Sequence, residues 1–344
     1  MNRPGLNRRI ILWLLGCALW LASAPYVCGA GSWTRQESRT MAWLHAVYFL
    51  DQRTGWAVGS NGALLSTTDG GAKWTIMPRP SEDTLRDVYF ADEQNGWLVC
   101  ERNIYLLKTK EEPRTYLMNT SDGGRVWRRV NVIGPDADAR LVRALFTREG
   151  RAWAFGESGA LYTSRDGGAS WQRLRGPTQY LLLGGDFLDG DNGWLVGAGS
   201  TILQTTDGGE TWRTGAVEAA GVRFTAISFV DSRHGWAVGN EGRVFVTTNG
   251  GRSWRAQASN VQAGLFDVKF LDLSEGWAVG DEGIVIHTLD GGAHWTTIPS
   301  GTTHRLERLS FVDRTRGWAV GFGGTIIGYS GTARQRAPEL KSQK

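Results

Sequence analysis

Gly276-Trp277-Ala278-Val279-Gly280-Asp281-Glu282-Gly283-Ile284-Val285-Ile286-His287-Thr288-Leu289-Asp290-Gly291-Gly292-Ala293-His294-Trp295 is the stretch on which the reading of the fold turns. A short apolar run opened by Gly-Trp leads through a Gly-containing turn to a second apolar run and then to Asp-Gly-Gly-x-x-Trp. Each run has the length and the branched or aromatic content of a strand, and the Asp-Gly-Gly segment supplies an acceptor side chain and two permissive glycines for a tight hairpin. Just before it Leu265 to Phe270 alternates as another strand, and His294 to Ile298 forms one after it, so the unit holds four strands.

The unit repeats along the chain. Trp56, Trp97, Trp153, Trp194, Trp236, Trp277 and Trp318 open the second strand of seven units, at spacings of 41, 56, 41, 42, 41 and 41 residues. A second series, Trp74, Trp127, Trp171, Trp212, Trp254 and Trp295, closes the Asp-Gly-Gly-x-x-Trp hairpins, and Trp33 stands 41 residues before the first of them. A period near 41 with four short strands per unit is a β-propeller signature. Between the first and second strands lies Asp-x-x-x-Gly, as from Asp51 to Gly55 and from Asp231 to Gly235. There the Asp is expected to hold loop amides and the Gly to take a positive φ. The seventh unit has no Asp-Gly-Gly-x-x-Trp; the segment Gly31 to Thr34 has the form of its missing fourth strand. The fold class is therefore all-β: a seven-bladed propeller of four antiparallel strands per blade, closed by an N-terminal strand that covers both open sheet edges.

Composition agrees with a folded, turn-rich chain: 47 glycines in 344 residues, 9 prolines and 21% charged residues exclude collagen and charge-driven disorder. The net charge is +4, but Arg3, Arg8 and Arg9 account for three of these charges and the chain from residue 31 on stands at +1. Such a chain has no global polyanion-binding field, so nucleic acid is not an expected partner. Those arginines precede fifteen apolar or small residues, Ile10 to Ala24. That run is short for a membrane span and matches a signal-peptide core. Small residues suited to cleavage stand at Ala22-Ser23-Ala24 and at Cys28-Gly29-Ala30, and the second site is favoured. The reading is a signal peptide over 1–30, a propeller over 31–330 and a polar tail over 331–344, hence an exported periplasmic or lumenal protein. Leu14-Leu15-Gly16-Cys17 has the form of a lipobox, but the apolar run continues beyond Cys17, which speaks against a lipoprotein. Cys100 is then the lone mature cysteine and reads as a buried strand residue.

The Ser/Thr-x-Asp-x-Gly-x-x-Trp hairpins, seen at Thr67 to Trp74 and Thr205 to Trp212, are Asp-box or BNR repeats. With Gly-Trp-Ala-Val-Gly in nearly every unit and an export signal, the chain resembles the photosystem II stability/assembly factor family over about residues 31 to 330. That resemblance implies a non-enzymatic propeller that binds a membrane protein during assembly, through an arginine-rich surface that meets a reaction-centre precursor. Two other readings stand beside it: an accessory protein of another envelope complex such as an exporter, and a glycan-binding or sialidase-like propeller.

The residues weigh against catalysis. Glycoside hydrolysis needs a carboxylate pair, or a Tyr/Glu nucleophile beside an arginine cluster. The Asp-box aspartates are tied to their own hairpins, and no unit carries an extra acid. His45, His234, His287, His294 and His304 have no metal-ligand spacing and there is no Cys/His cluster. No catalytic residue, cofactor or metal is expected.

Aligning the first strands on their terminal Phe brings out arginines. Arg140, Arg223 and Arg305 lie six residues before Phe146, Phe229 and Phe311, while Arg86, Arg143, Arg308 and His45 lie three or four before the corresponding Phe. Pseudo-symmetry is expected to gather them on one face around the central channel, suited to a carboxylate or acidic segment of a membrane-protein subunit bound by a monomer. The competing reading is a set of solvated residues in local ion pairs. The second unit departs from the repeat through a charged insertion at 108–115, either a partner loop or tolerated decoration.

Overall fold

A computed structural model describes residues 31–103, 105, 113–130, 132 and 139–332. Seven antiparallel sheets stand around a central channel. Blade 1 runs from Leu44–Phe49 on the inside through Gly55–Gly59 and Leu64–Thr67 to Thr75–Ile76 on the rim, and the later blades repeat this order. In blade 7 the rim strand is Ser32–Gln36, which pairs with Ile326–Ser330 over five residues, from Ser32 opposite Ser330 to Gln36 opposite Ile326. Blade 5 carries an added fifth strand, Ala216–Val217, parallel to its rim strand Ser253–Gln257. The signal segment at 1–30, residues 108–112 of the insertion and the tail from 333 lie outside the described residues.

Both tryptophan series have one physical purpose. Each innermost strand ends in Phe, and the second-strand Trp of the preceding blade lies against that ring: Trp318 on Phe49 at 3.4 Å, Trp56 on Phe90 at 3.6 Å, Trp194 on Phe229 at 3.5 Å and Trp236 on Phe270 at 3.6 Å. The rim-strand Trp of the same blade meets the Phe edge-on, as Trp74 does Phe49 and Trp254 does Phe229, with interplanar angles of 89° and 88°. Trp33 takes the rim position in blade 7, 5.9 Å from Phe311 at 89°. Every Phe is thus shared between two blades, each aromatic pair adding about 0.5–1.5 kcal/mol beyond the area it buries.

This packing corrects one expectation. Asp51 does take the amides of Arg53 and Thr54, both at 2.7 Å, but Gly55, Gly193, Gly235, Gly276 and Gly317 are absent from the positive-φ glycines. They are glycine because the Phe ring lies on them: a Cβ at Gly235 would come within 2.5 Å of Phe229, and one at Gly193 within 2.2 Å of Phe187. The positive φ belongs to the Asp-box glycines, 70° at Gly291 and 85° at Gly292. In that hairpin Asp290 accepts from the His294 amide and the Thr288 hydroxyl, both at 2.9 Å, and Thr288 accepts from the Gly292 amide.

Closure has its own bracket. The Gln36 side chain accepts from the Trp74 indole at 3.0 Å and donates to the Gly70 carbonyl at 3.2 Å, joining blade 7 to blade 1. Gln257, in the matching Ser-Trp-x-x-Gln of blade 5, donates likewise to the Gly291 carbonyl of blade 6 at 3.0 Å.

Candidate partner-binding face and central channel

All seven innermost strands share a β-bulge at the same place. Pairing to the second strand skips His45, Arg86, Val142, Leu183, Thr225, Phe266 or Glu307. A bulge re-aims its side chain, so residues three and four before the terminal Phe part company. Arg86 joins Arg140 and Arg305 at one face of the disc, whereas Arg143 and Arg308 lie farther in and line the channel. The expectation that all would gather on one face therefore fails for Arg143 and Arg308.

The face itself is formed where innermost strands begin and where the turns between second and third strands return. Those turns are fixed there by backbone hydrogen bonds: the Glu157 amide donates to the Arg140 carbonyl at 2.8 Å, Asn240 to Arg223 at 3.2 Å and Phe322 to Arg305 at 3.0 Å. The turns carry acids that meet the arginines. Glu101 contacts Arg86 at 2.5 Å, Arg114 at 3.2 Å and Arg140 at 3.9 Å, and Glu157 contacts Arg114 at 3.1 Å and Arg140 at 3.2 Å. Three arginines share two glutamates, which leaves one positive charge in excess. Arg305 lies 2.9 Å from Glu307 and 3.8 Å from Asp281, and its guanidinium covers the Phe266 ring at 3.7 Å. Arg223 is exposed and has no ion pair among the described residues.

Next to Arg305 is an aromatic patch. Trp43 donates to Glu307 at 3.0 Å and packs edge-on against Phe322, which is half exposed, with Met41 exposed nearby in sequence. Burial raises the Glu307 carboxyl, against the pull of Arg305 and Arg308. His45, half-buried and facing Arg86, Arg308 and Arg305, is pushed down to about 3, chiefly by desolvation, and is neutral at physiological pH. Sequence alignment on the terminal Phe missed Arg114, Glu101, Glu157 and Glu307. The first three belong to second and third strands or their turns; aligning residues four after each second-strand Trp would have shown Glu101, Glu157 and Asp281 at one position.

Arg143 stands between Asp87 at 3.9 Å and Asp267 at 4.0 Å, and its side chain is 13% exposed. The aspartates around it tie blades together. Asp87 accepts from the Ala144 amide at 3.1 Å, Asp186 from Phe229 at 2.7 Å and Asp267 from Leu309 at 2.9 Å, each in the next blade. Ser228 and Ser310 do the same for Phe270 and Phe49, both at 3.1 Å.

A disc of Asp-box blades of this kind defines a class, the BNR-repeat propellers. Within it, the profile described as "Photosynthesis system II assembly factor YCF48" matches residues 27–112, 73–181, 169–258 and 219–304. The chain belongs to that family. Among curated relatives, the photosystem II assembly protein Ycf48 of Thermosynechococcus vestitus is 39% identical over 61 residues, 17% of this chain and 18% of the relative. The curated relatives are matched over less than a third of their own length. Among solved structures, "YCF48 bound to D1 peptide" superposes with a TM-score of 0.71 at 21% identity, covering 90% of this chain and 97% of the other. A xyloglucanase from Xanthomonas campestris superposes with a TM-score of 0.66 at 15% identity over 90% of this chain and 54% of its own, so enzymes share the architecture.

Proposed function

We propose that the chain is an exported, non-enzymatic assembly factor that captures a carboxylate-bearing segment of a membrane-protein subunit on its arginine face, a photosystem II reaction-centre polypeptide in a photosynthetic host. The carrying observation is the charge arrangement: Arg86, Arg114 and Arg140 share two glutamates, Arg223 has no ion pair among the described residues, and the Trp43–Phe322 patch lies beside Arg305. Guanidinium forks with spare donors next to an exposed aromatic suit an acidic peptide with an apolar residue. The family supports the same reading, since its relatives are named as photosystem II assembly factors and one was solved with a D1 peptide. Export rests on the leader read in residues 1–30.

The test is capture of host membrane proteins by the mature chain, compared with Arg140→Gln, Arg223→Gln and Arg305→Gln combined. Glutamine is used because a carboxylate at 140 or 305 would face Glu157 or Glu307 and unsettle the fold. Loss of a photosystem subunit from the capture, with the melting curve unchanged, is expected; equal capture by both proteins refutes the arginine face.

A further inference from the structure

The central channel contains a charged cavity. A cavity of about 490 Å³ occupies it from the layer of Asp87, Arg143, Asp267 and Arg308 to Leu50, Arg148 and Val312, which lie past the ends of the innermost strands. No residue of the arginine face lines it. It therefore reaches toward the opposite, Asp-box face, and its volume is in the range that accepts small molecules.

Its charges are not balanced in use. Four basic side chains, Arg143, Arg148, Lys269 and Arg308, and three acidic ones, Asp87, Asp186 and Asp267, line the wall. Each of the three aspartates accepts a backbone amide of the next blade, and Asp87 and Asp267 also flank Arg143, so no acid is paired with Arg308 or Lys269 among the described residues. Burial raises the Asp186 carboxyl, with Lys269, the Phe229 amide and Arg143 opposing. Arg143 is flanked by Asp87 and Asp267, whereas Arg308 and Lys269 keep their donors. Arg308 and Lys269 make no ion pair or side-chain hydrogen bond among the described residues, and the buried Nε atoms of Arg308 and Arg143 have no acceptor. An unmade hydrogen bond at a buried charged donor costs free energy that an anionic ligand recovers. Tyr48 and Tyr89, also on the wall, lie 5.1 Å apart ring to ring.

We propose that this cavity is a binding site for a compact, multiply charged oxyanion, a small di- or tricarboxylate or a phosphate compound, held by Arg308, Lys269 and Arg143 and admitted from the Asp-box face. The site is independent of the arginine face, so a partner and this ligand occupy opposite sides of the disc.

Isothermal titration calorimetry of the full mature chain with citrate, succinate and inorganic phosphate, against sodium chloride at matched ionic strength, tests the assignment. Saturable binding of at least one of them is expected, weakened about ten- to hundred-fold in Arg308→Gln and in Lys269→Gln and unchanged in Arg223→Gln on the other face. Which probe binds separates carboxylate from phosphate recognition. Arg308 and Lys269 have no ion pair or side-chain hydrogen bond to lose among the described residues, and near-ultraviolet circular dichroism checks that both variants are folded. Binding no tighter than sodium chloride for all three probes, or equal binding by folded variants and wild type, overturns the site.

Discussion

Trp33→Ala is the perturbation that speaks most directly to how the ring is closed. Trp33 is 6% exposed and lies 5.7 Å from Trp277, 5.9 Å from Phe311 and 5.4 Å from Tyr329. Its indole nitrogen has no hydrogen-bond partner among the described residues, so the loss is one of packing. Truncation of a buried Trp to Ala costs about 3–5 kcal/mol. A domain's total stability is about 5–15 kcal/mol, so the variant gives up a large part of it. Urea unfolding followed by tryptophan fluorescence should show a lower midpoint at similar slope, because the surface exposed on unfolding is almost the same. Gln36→Ala, which leaves the Trp74 indole without its acceptor, should add a further loss of about 1–3 kcal/mol. A cost below about 1 kcal/mol for Trp33→Ala would mean that the N-terminal strand merely decorates blade 7, and the closure argument would be wrong.

Three further outcomes follow from local geometry. Gly235→Ala drives a methyl into the Phe229 ring and should destabilise by about 1–3 kcal/mol in the same urea assay; a neutral result would sink the explanation given for these glycines. Asp166, held down to about 2 by the Ser170 hydroxyl and amide and by Ser164, should contribute stability that is complete above its ordinary value of 3.8 and lost as pH falls toward 2. Asp166→Ala should flatten that part of the acid melting profile, and an unchanged profile would count against the hydrogen-bonded carboxylate. Cys100 is fully buried and its thiol is pushed up by burial, so a thiol reagent should label it only in denaturant; rapid labelling of the native protein would contradict its placement.

Blade number, strand order, the hairpins and the closing strand were legible because each depends on a feature repeated at a fixed interval. Trp33 needed only its distance of 41 residues from Trp74 to be placed on the rim. The reason for the glycine before Trp236 was not legible, since it lies in Phe229 and in the Trp194 of another blade, partners that no local turn rule describes. The arginine pattern was half visible. Its members could be aligned, but the bulge that sends Arg86 to the face and Arg143 into the channel leaves no mark on a strand's alternation. Glu101 and Glu157 were hidden because they come from neighbouring turns, and the spent aspartates of the channel because their acceptor atoms bind amides one blade away.

The pairing of Ser32 with Ser330 also determines how the molecule can be held. The Gly331 amide donates to Thr315, in the turn between the first two strands of blade 7, so both ends of the described chain leave from the Asp-box side of that blade's rim. A linker, label or sensor surface joined directly at Gly31 or Thr332 grips the disc from behind and presents the arginine face outward. The two ends are also near enough to be spliced, so the ring should tolerate being reopened between other blades, with order rotated and closure kept.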